Sequence, residues 1–131
     1  MIVLDTHVLV WWLAQPRNLS AKARRLVKAS AAKAEVVVST ISLFEISTLV
    51  RRRRLVLTMS FSSWVAALRS MSEINLQPVS PEIALAAGDF DEPFPGDPAD
   101  RLIAATAWVA GAKLVTADEK LRSVSMIETV W

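Results

Sequence analysis

Two carboxylates stand three residues apart in Pro95-Gly96-Asp97-Pro98-Ala99-Asp100-Arg101, just ahead of 102–112, a stretch with no charged residue. Residues three and four apart on a helix share a face, so Asp97, Asp100 and Ala104 fall on one stripe, while Arg101 turns away by about 100°. A helix built to be buried has little use for two acids on one face of its first turn unless a cation binds there. Three more acids, Asp5, Glu45 and Asp118, lie where a strand or helix meets a turn. Convergence of these acids would be costly, because two unit charges ~4 Å apart repel by roughly 4 kcal/mol at an effective dielectric near 20. Protonation or a bound cation must offset that cost. Magnesium, held by one or two carboxylates plus waters and substrate phosphate, suits the set, and manganese shares its taste for oxygen. The chemistry would be Lewis-acid polarisation of a phosphate and activation of a water for in-line attack. Without metal, such a pocket should raise the pKa of its acids.

Every one of these acids also has a purely structural use. Asp97 before Pro98 reads as an N-cap, with Asp100 as its box-like partner. Ser42-Leu43-Phe44-Glu45 fits a capping box, although the same spacing places Ser42 and Glu45 on one helix face. Asp118 can cap a short helix, and Asp5 can cap the helix after it. Their joint placement carries more weight than any single acid. His7, two residues from Asp5, reads as structural ahead of a general acid or base. Arg101 is open: it could offset the carboxylates or touch substrate. Arg51-Arg52-Arg53-Arg54 reads first as a set of cations suited to a helix C-terminus, and second as a phosphate or partner contact. Trp11, Trp12 and Trp64 read as packing residues, with Trp12 available to an interface.

Composition narrows the chemistry. The chain has 131 residues, 53% of them hydrophobic and 21% charged, with a formal net charge of +2. That length suits one domain, 1–131, able to bury roughly two thirds of its unfolded surface. With no cysteine and one histidine, disulfide frameworks, thiolate sites and His-rich zinc sites are excluded. The three glycines, Gly88, Gly96 and Gly111, form neither a P-loop nor a dinucleotide fingerprint, and no G-x-S-x-G elbow is present. The charge is uneven: 51–54 is a basic block, while Asp89, Asp91, Glu92, Asp97 and Asp100 make an acidic one. A basic surface near an acidic metal site suits a phosphate-bearing substrate. No signal peptide is evident, and 102–112 is too short to span a bilayer, so a cytoplasmic protein without a membrane is expected.

The elements that must position the acids alternate. Ile2-Val3-Leu4 predicts a buried strand ended by Asp5, and Thr6–Ala14 a helix stopped before Pro16. Ser20 caps a second helix to about 33. Val36-Val37-Val38 predicts a strand, and Ser39, Thr40 or Ser42 caps a helix running into the arginines. Leu55-Val56-Leu57 is ambiguous. Ser60 opens a helix with Phe61, Trp64, Val65 and Leu68 at helical spacing; 74–79 predicts a strand, and Ser80-Pro81 starts a helix that ends near Gly88. Residues 90–96 form a loop, 98–110 a helix stopped by Gly111, 113–116 a strand, 118–122 a short helix or turn, and 126–131 a closing strand. This alternation predicts an α/β fold with a central parallel sheet of four to five strands and helices on both faces. Ligands bind at the strand C-termini of such sheets, where Asp5 and Asp118 would lie. Asp97 and Asp100 reach that edge only if 90–96 carries them back.

The residues in register, Ile2-Val3-Leu4-Asp5-Thr6-His7-Val8-Leu9-Val10-Trp11-Trp12, Ile41-Ser42-Leu43-Phe44-Glu45-Ile46, Asp97-Pro98-Ala99-Asp100-Arg101-Leu102-Ile103-Ala104-Ala105-Thr106-Ala107 and Leu114-Val115-Thr116-Ala117-Asp118, resemble four motifs of the PIN-domain ribonucleases. The likeness is to the VapC-type toxins of bacterial toxin–antitoxin pairs, and Val130-Trp131 is similar to their usual ending. It implies a single PIN-like domain and a magnesium- or manganese-dependent endoribonuclease that cuts RNA. It also implies a homodimer, with a cognate antitoxin blocking the pocket. By position it implies Asp5, Glu45, Asp100 and Asp118 as catalytic metal-site acids, Thr116 in support, and Asp97 as either a cap or an auxiliary ligand. Ala99 departs from the bulky apolar residue many relatives carry there, which touches packing at the helix start. A catalytically silent PIN-like module that binds RNA or protein is the main alternative. A receiver-type signalling domain is a weaker one, because Ser39 stands where its phosphoacceptor should be.

Overall fold

In the computed structural model, which describes residues 1–91 and 93–131, five short strands form one wholly parallel sheet. They are β1 (Ile2–Leu4), β2 (Val36–Ser39), β3 (Ile74–Gln77), β4 (Lys113–Val115) and β5 (Thr129–Val130), in the order β3-β2-β1-β4-β5. β1 is central, pairing Val3 with Val37 on one side and Val3 with Leu114 on the other. Seven α-helices connect and cover the strands: α1 (Thr6–Ala14), α2 (Ala21–Ala32), α3 (Thr40–Arg51), α4 (Phe61–Ser70), α5 (Pro81–Asp89), α6 (Pro98–Ala110) and α7 (Glu119–Arg122). The acidic loop expected at 90–96 lies between α5 and α6; Glu92 is outside the described residues.

Strand side chains alternate between the two sheet faces, and the core divides accordingly. Ile2, Leu4, Val36, Val38 and Val115 face α1 to α4, where Val8, Leu9, Val27, Ile46 and Leu68 meet them. Val3, Val37 and Leu114 face the other way, onto Ile83 of α5, Ile103, Ala104 and Ala107 of α6, and Leu121 of α7. The run of alanines in α6 lets that helix lie close to the sheet. Helices on both faces are what the unbroken apolar strands required.

Helix starts follow the predicted capping chemistry. Ser20, Ser60, Ser80 and Asp97 each accept a backbone N–H two or three positions into the helix that follows. Helix stops are less economical. α2, α3 and α6 all end with paired carbonyl-closing bonds: Glu35 to Ser30 and Ala34 to Ala31, Arg54 to Leu49 and Arg53 to Val50, Ala112 to Ala107 and Gly111 to Trp108. This is the Schellman arrangement, whose turning residue must be left-handed. Gly111 fills it at φ 61, but Ala34 (φ 55) and Arg53 (φ 58) are forced into the same region with a Cβ. Two expectations are corrected here: the strand expected at 74–79 ends at Gln77, and the closing strand expected at 126–131 covers only Thr129–Val130. The ambiguous Leu55-Val56-Leu57 joins no strand and leaves Val56 88% exposed, and a 3₁₀ turn forms at Pro16–Asn18. No helix among the described residues is long and apolar enough to cross a membrane.

Candidate active site at the switch point of the sheet

β2 and β3 lie on one side of β1, β4 and β5 on the other, so the crevice between the C-termini of β1 and β4 is the topological switch point. Asp5 follows β1 directly and Thr116 follows β4. The two ends are laced together, with the Asp5 N–H donating to the Val115 carbonyl at 3.0 Å. A cleft of about 510 Å³ opens there, with Asp5, Glu45, Asp97, Asp100 and Asp118 all in its lining. Residues up to 113 apart in sequence thus share one pocket, as the sequence led us to expect. Asp97 and Asp100 do reach the strand edge.

Asp5 is the fixed point. It is 3% exposed, and both carboxylate oxygens are engaged: Oδ1 accepts the Thr6 N–H at 2.7 Å and Oδ2 accepts the Thr116 hydroxyl at 2.7 Å. Thr116 in turn accepts the Asp118 N–H at 3.0 Å, so one buried hydroxyl ties two acids together. Asp118 Oδ1 caps α7 through the Lys120 N–H, and Asp97 Oδ1 caps α6 through the Asp100 N–H. Both cap readings hold, yet each residue still lines the cleft.

His7 is settled by its partners. Its Nε2 accepts the Ala117 N–H at 3.0 Å, so that nitrogen carries no proton and the hydrogen-bond network assigns a neutral ring with its proton on Nδ1. Nδ1 stands 3.6 Å from Asp5 Oδ2, too far for a hydrogen bond and, for a neutral ring, not an ion pair. The imidazole sits edge-on to Trp11 and beside Trp131. Its role is structural: it braces the turn that carries Asp118.

Glu45 and Asp100 behave differently from the locked acids. Burial, opposed by a hydrogen bond from Thr6 and reinforced by Asp5 and Asp97, pushes Glu45 above the usual carboxylate range. Burial, then the charges of Asp5, Asp97, Asp118 and Glu45, pushes Asp100 up to about 7. The expected rise is therefore present at these two acids. Among the described residues no side-chain hydrogen bond reaches the Asp100 carboxylate, while its backbone N–H donates to Asp97 Oδ1.

Two sequence readings are overturned. Ser42 is not a cap, because Ser39 already caps α3. Ser42 is instead fully buried within the helix, 2.9 Å from the Thr6 hydroxyl, which also donates to Glu45. One hydroxyl has one proton. With Glu45 ionised that proton goes to the carboxylate, and Ser42 must supply the hydrogen of the hydroxyl pair. Arg101 neither offsets the acids nor faces substrate. Its guanidinium donates to the carbonyls of Ala87, Pro95 and Phe90 and lies 5.4 Å from the centre of the Phe94 ring, pinning the loop that delivers α6 to the cleft. Thr6 was missed altogether; only its place beside Asp5 hinted at a role.

A family model for the PIN domain matches residues 2–126. This chain belongs to the PIN-domain family. Over 122 residues it is 38% identical to Ribonuclease VapC22 of Mycobacterium tuberculosis, an alignment covering 93% of this chain and 90% of that one. Solved structures with the same fold include VapBC2 from Rickettsia felis bound to a DNA fragment from its promoter (TM-score 0.73, 19% identity, 99% of this chain and 98% of that one). DNA-bound VapBC from Salmonella typhimurium gives a TM-score of 0.69 at 18% identity, covering 98% and 96%.

The PIN cleft can be tested for fit to a divalent cation by its donors. Five carboxylates line it, oxygen donors of the kind hard cations take, with the Thr6 and Thr48 hydroxyls and the His7 imidazole beside them. Among the described residues no three of them draw together into a ready-made cage. A divalent cation there would need waters or substrate oxygens to complete its shell.

Proposed function

We propose that this PIN domain is the toxin of a toxin–antitoxin pair: an endoribonuclease that acts on cytoplasmic RNA and is restrained by a cognate antitoxin. The chain over 1–131 would work as one unit and as a homodimer. The observation that carries the reading is Asp100, which lines the cleft, has no hydrogen-bond donor to its carboxylate among the described residues, and is raised to about 7 beside four other acids. Strongly perturbed acids gathered at a switch-point crevice mark functional sites. The 38% identity to a named ribonuclease supports the same chemistry.

Asp5, Asp100 and Asp118 would hold magnesium or manganese, with Glu45 completing the set and Asp97 at the rim. When bound, the ion polarises a phosphate oxygen and eases deprotonation of a water. The chain's own groups do the rest. Thr116 holds Asp5 and Asp118 in one orientation, so the ligand pair is preorganised. Burial raises the Glu45 pKa above the usual carboxylate range, which makes its ionised form a stronger base, and the Thr6 hydroxyl aims its carboxylate. That makes Glu45 the group best placed to take a proton from an attacking water and return it to solvent.

Purified chain incubated with total RNA tests the proposal. Cleavage should require magnesium or manganese, stop with EDTA, and vanish in Asp5→Asn and Asp100→Asn proteins whose circular dichroism matches the parent. EDTA-resistant cleavage, or full activity of Asp5→Asn, would overturn it.

A further inference from the structure

α3 carries more than Glu45 to the cleft. Phe44 lines the same opening and is 66% exposed, an unusual place for a large aromatic that contributes nothing to the core. With Ile41, Leu49, Pro98 and Leu102 it forms an apolar wall beside the acids. Helical spacing extends this face along the axis. Arg51 lies two turns beyond Phe44 and Arg52 two turns beyond Glu45, each ~10.5 Å further on, and Thr48, between Glu45 and Arg52, also lines the cleft. Residues 51–54 are four exposed arginines, and none is in an ion pair among the described residues. Arg53 holds its left-handed conformation at a helix stop that glycine would fill without a steric cost.

We propose that α3 guides an unpaired RNA strand into the cleft. Phe44 stacks on a nucleobase flanking the scissile phosphate, and Arg51 and Arg52 hold the phosphates next along the strand. This rests on the nuclease reading above and adds how substrate is held. The acids repel every phosphate that is not at the metal, so the strand must be retained by cations outside the pocket. An exposed aromatic ring can take a splayed, unpaired base but not one still stacked in a duplex, so the arrangement selects single-stranded segments.

The test uses the full chain carrying Asp100→Asn as parent, magnesium, and a short fluorescent unpaired oligoribonucleotide. Phe44→Ala should weaken binding about ten-fold or more. Phe44→Leu, which keeps apolar bulk without a π-face, should weaken it alike, and Phe44→Trp should restore it. The double variant Arg51→Gln, Arg52→Gln should flatten the slope of log K against log salt by about 1.4, or about 0.7 for each lost phosphate contact on a single strand. Phe44→Leu matching the parent, or an unchanged salt slope, overturns the proposal. So does a result in which these variants bind RNA normally but no longer hold a protein partner, which would make the face a protein interface. A parent that binds no RNA overturns the nuclease reading as well, whereas a binding parent with indifferent variants overturns only this one.

Discussion

Replacing Asp100 by asparagine should make the metal-free protein more stable at pH 8 and leave it unchanged near pH 4. The reason is ionisation in the wrong place. Burial first, and the neighbouring Asp5, Asp97, Asp118 and Glu45 next, lift the Asp100 pKa from 3.8 to about 7. Between those values the folded state holds a proton that the unfolded state has lost, so stability falls as pH rises through the window. Three pKa units correspond to about 4 kcal/mol if the group were sealed from solvent. Asp100 is partly open to the cleft, where water and salt screen it, so we halve that figure to about 2 kcal/mol. Asparagine keeps the shape and removes the charge, and should recover this amount, or roughly 5–10 °C in Tm for a chain of this size.

Urea melts in EDTA at pH 4 and pH 8 measure it, since guanidinium would screen the charges under study. The gain at pH 8 should disappear when magnesium is added, because the ion then stabilises the parent and has less to bind in the variant. An asparagine variant less stable than the parent at pH 8 in EDTA would refute the reasoning, as would a gain that is the same at both pH values.

Ala34→Gly should stabilise the protein by about 1 kcal/mol, read as a shifted urea midpoint with unchanged slope, because Ala34 turns the end of α2 at φ 55. Thr116→Val should cost about 1–3 kcal/mol and most RNA cleavage, since it removes the hydroxyl between buried Asp5 and the Asp118 amide. Thr116→Ser should keep both. Arg101→Lys should lose stability by about 2–4 kcal/mol, because an ammonium cannot reach three carbonyls and lie against the Phe94 ring as the guanidinium does. Faster amide exchange over 90–97 would localise that loss to the loop.

What could be read from the sequence was local, and what could not was contact at long range. The apolar triplets at 2–4 and 36–38 and the caps Ser20, Ser60, Ser80 and Asp97 are written within a few residues of where they act, and each forms as expected. Asp100 could be separated from Asp97 by helical spacing and by resemblance together. Ser42 was misread because a capping box is a local pattern, and Ser39, three residues earlier, takes the N-cap position instead. Its true partner, Thr6, is 36 residues away. The tie between His7 and Ala117 spans 110 residues, and no spacing rule reaches that far. Arg101 shows a further limit. Periodicity said correctly that it turns away from Asp100, but its carbonyl partners depend on the path of the 90–96 loop, which only the fold decides.

The five acids differ in freedom, and that difference has a chemical consequence. Asp5 has both oxygens bound and no room to move. Asp118 and Asp97 each spend one oxygen on a helix cap, leaving the other for a ligand. Asp100 and Glu45 are the acids raised by burial and by neighbouring carboxylates, and among the described residues no hydrogen-bond donor reaches the Asp100 carboxylate. Entry of a cation would favour the ionised form of these two acids, and at Asp100, raised to about 7, it would release a proton near neutral pH. A site built this way keeps its geometry when empty, because its rigid members are satisfied by the backbone and by Thr116. Its adjustable charge sits on two residues from different helices, α3 and α6. RNA cleavage at fixed magnesium should therefore rise with pH up to about 7, as Asp100 ionises, and the rise should move to lower pH as magnesium is increased.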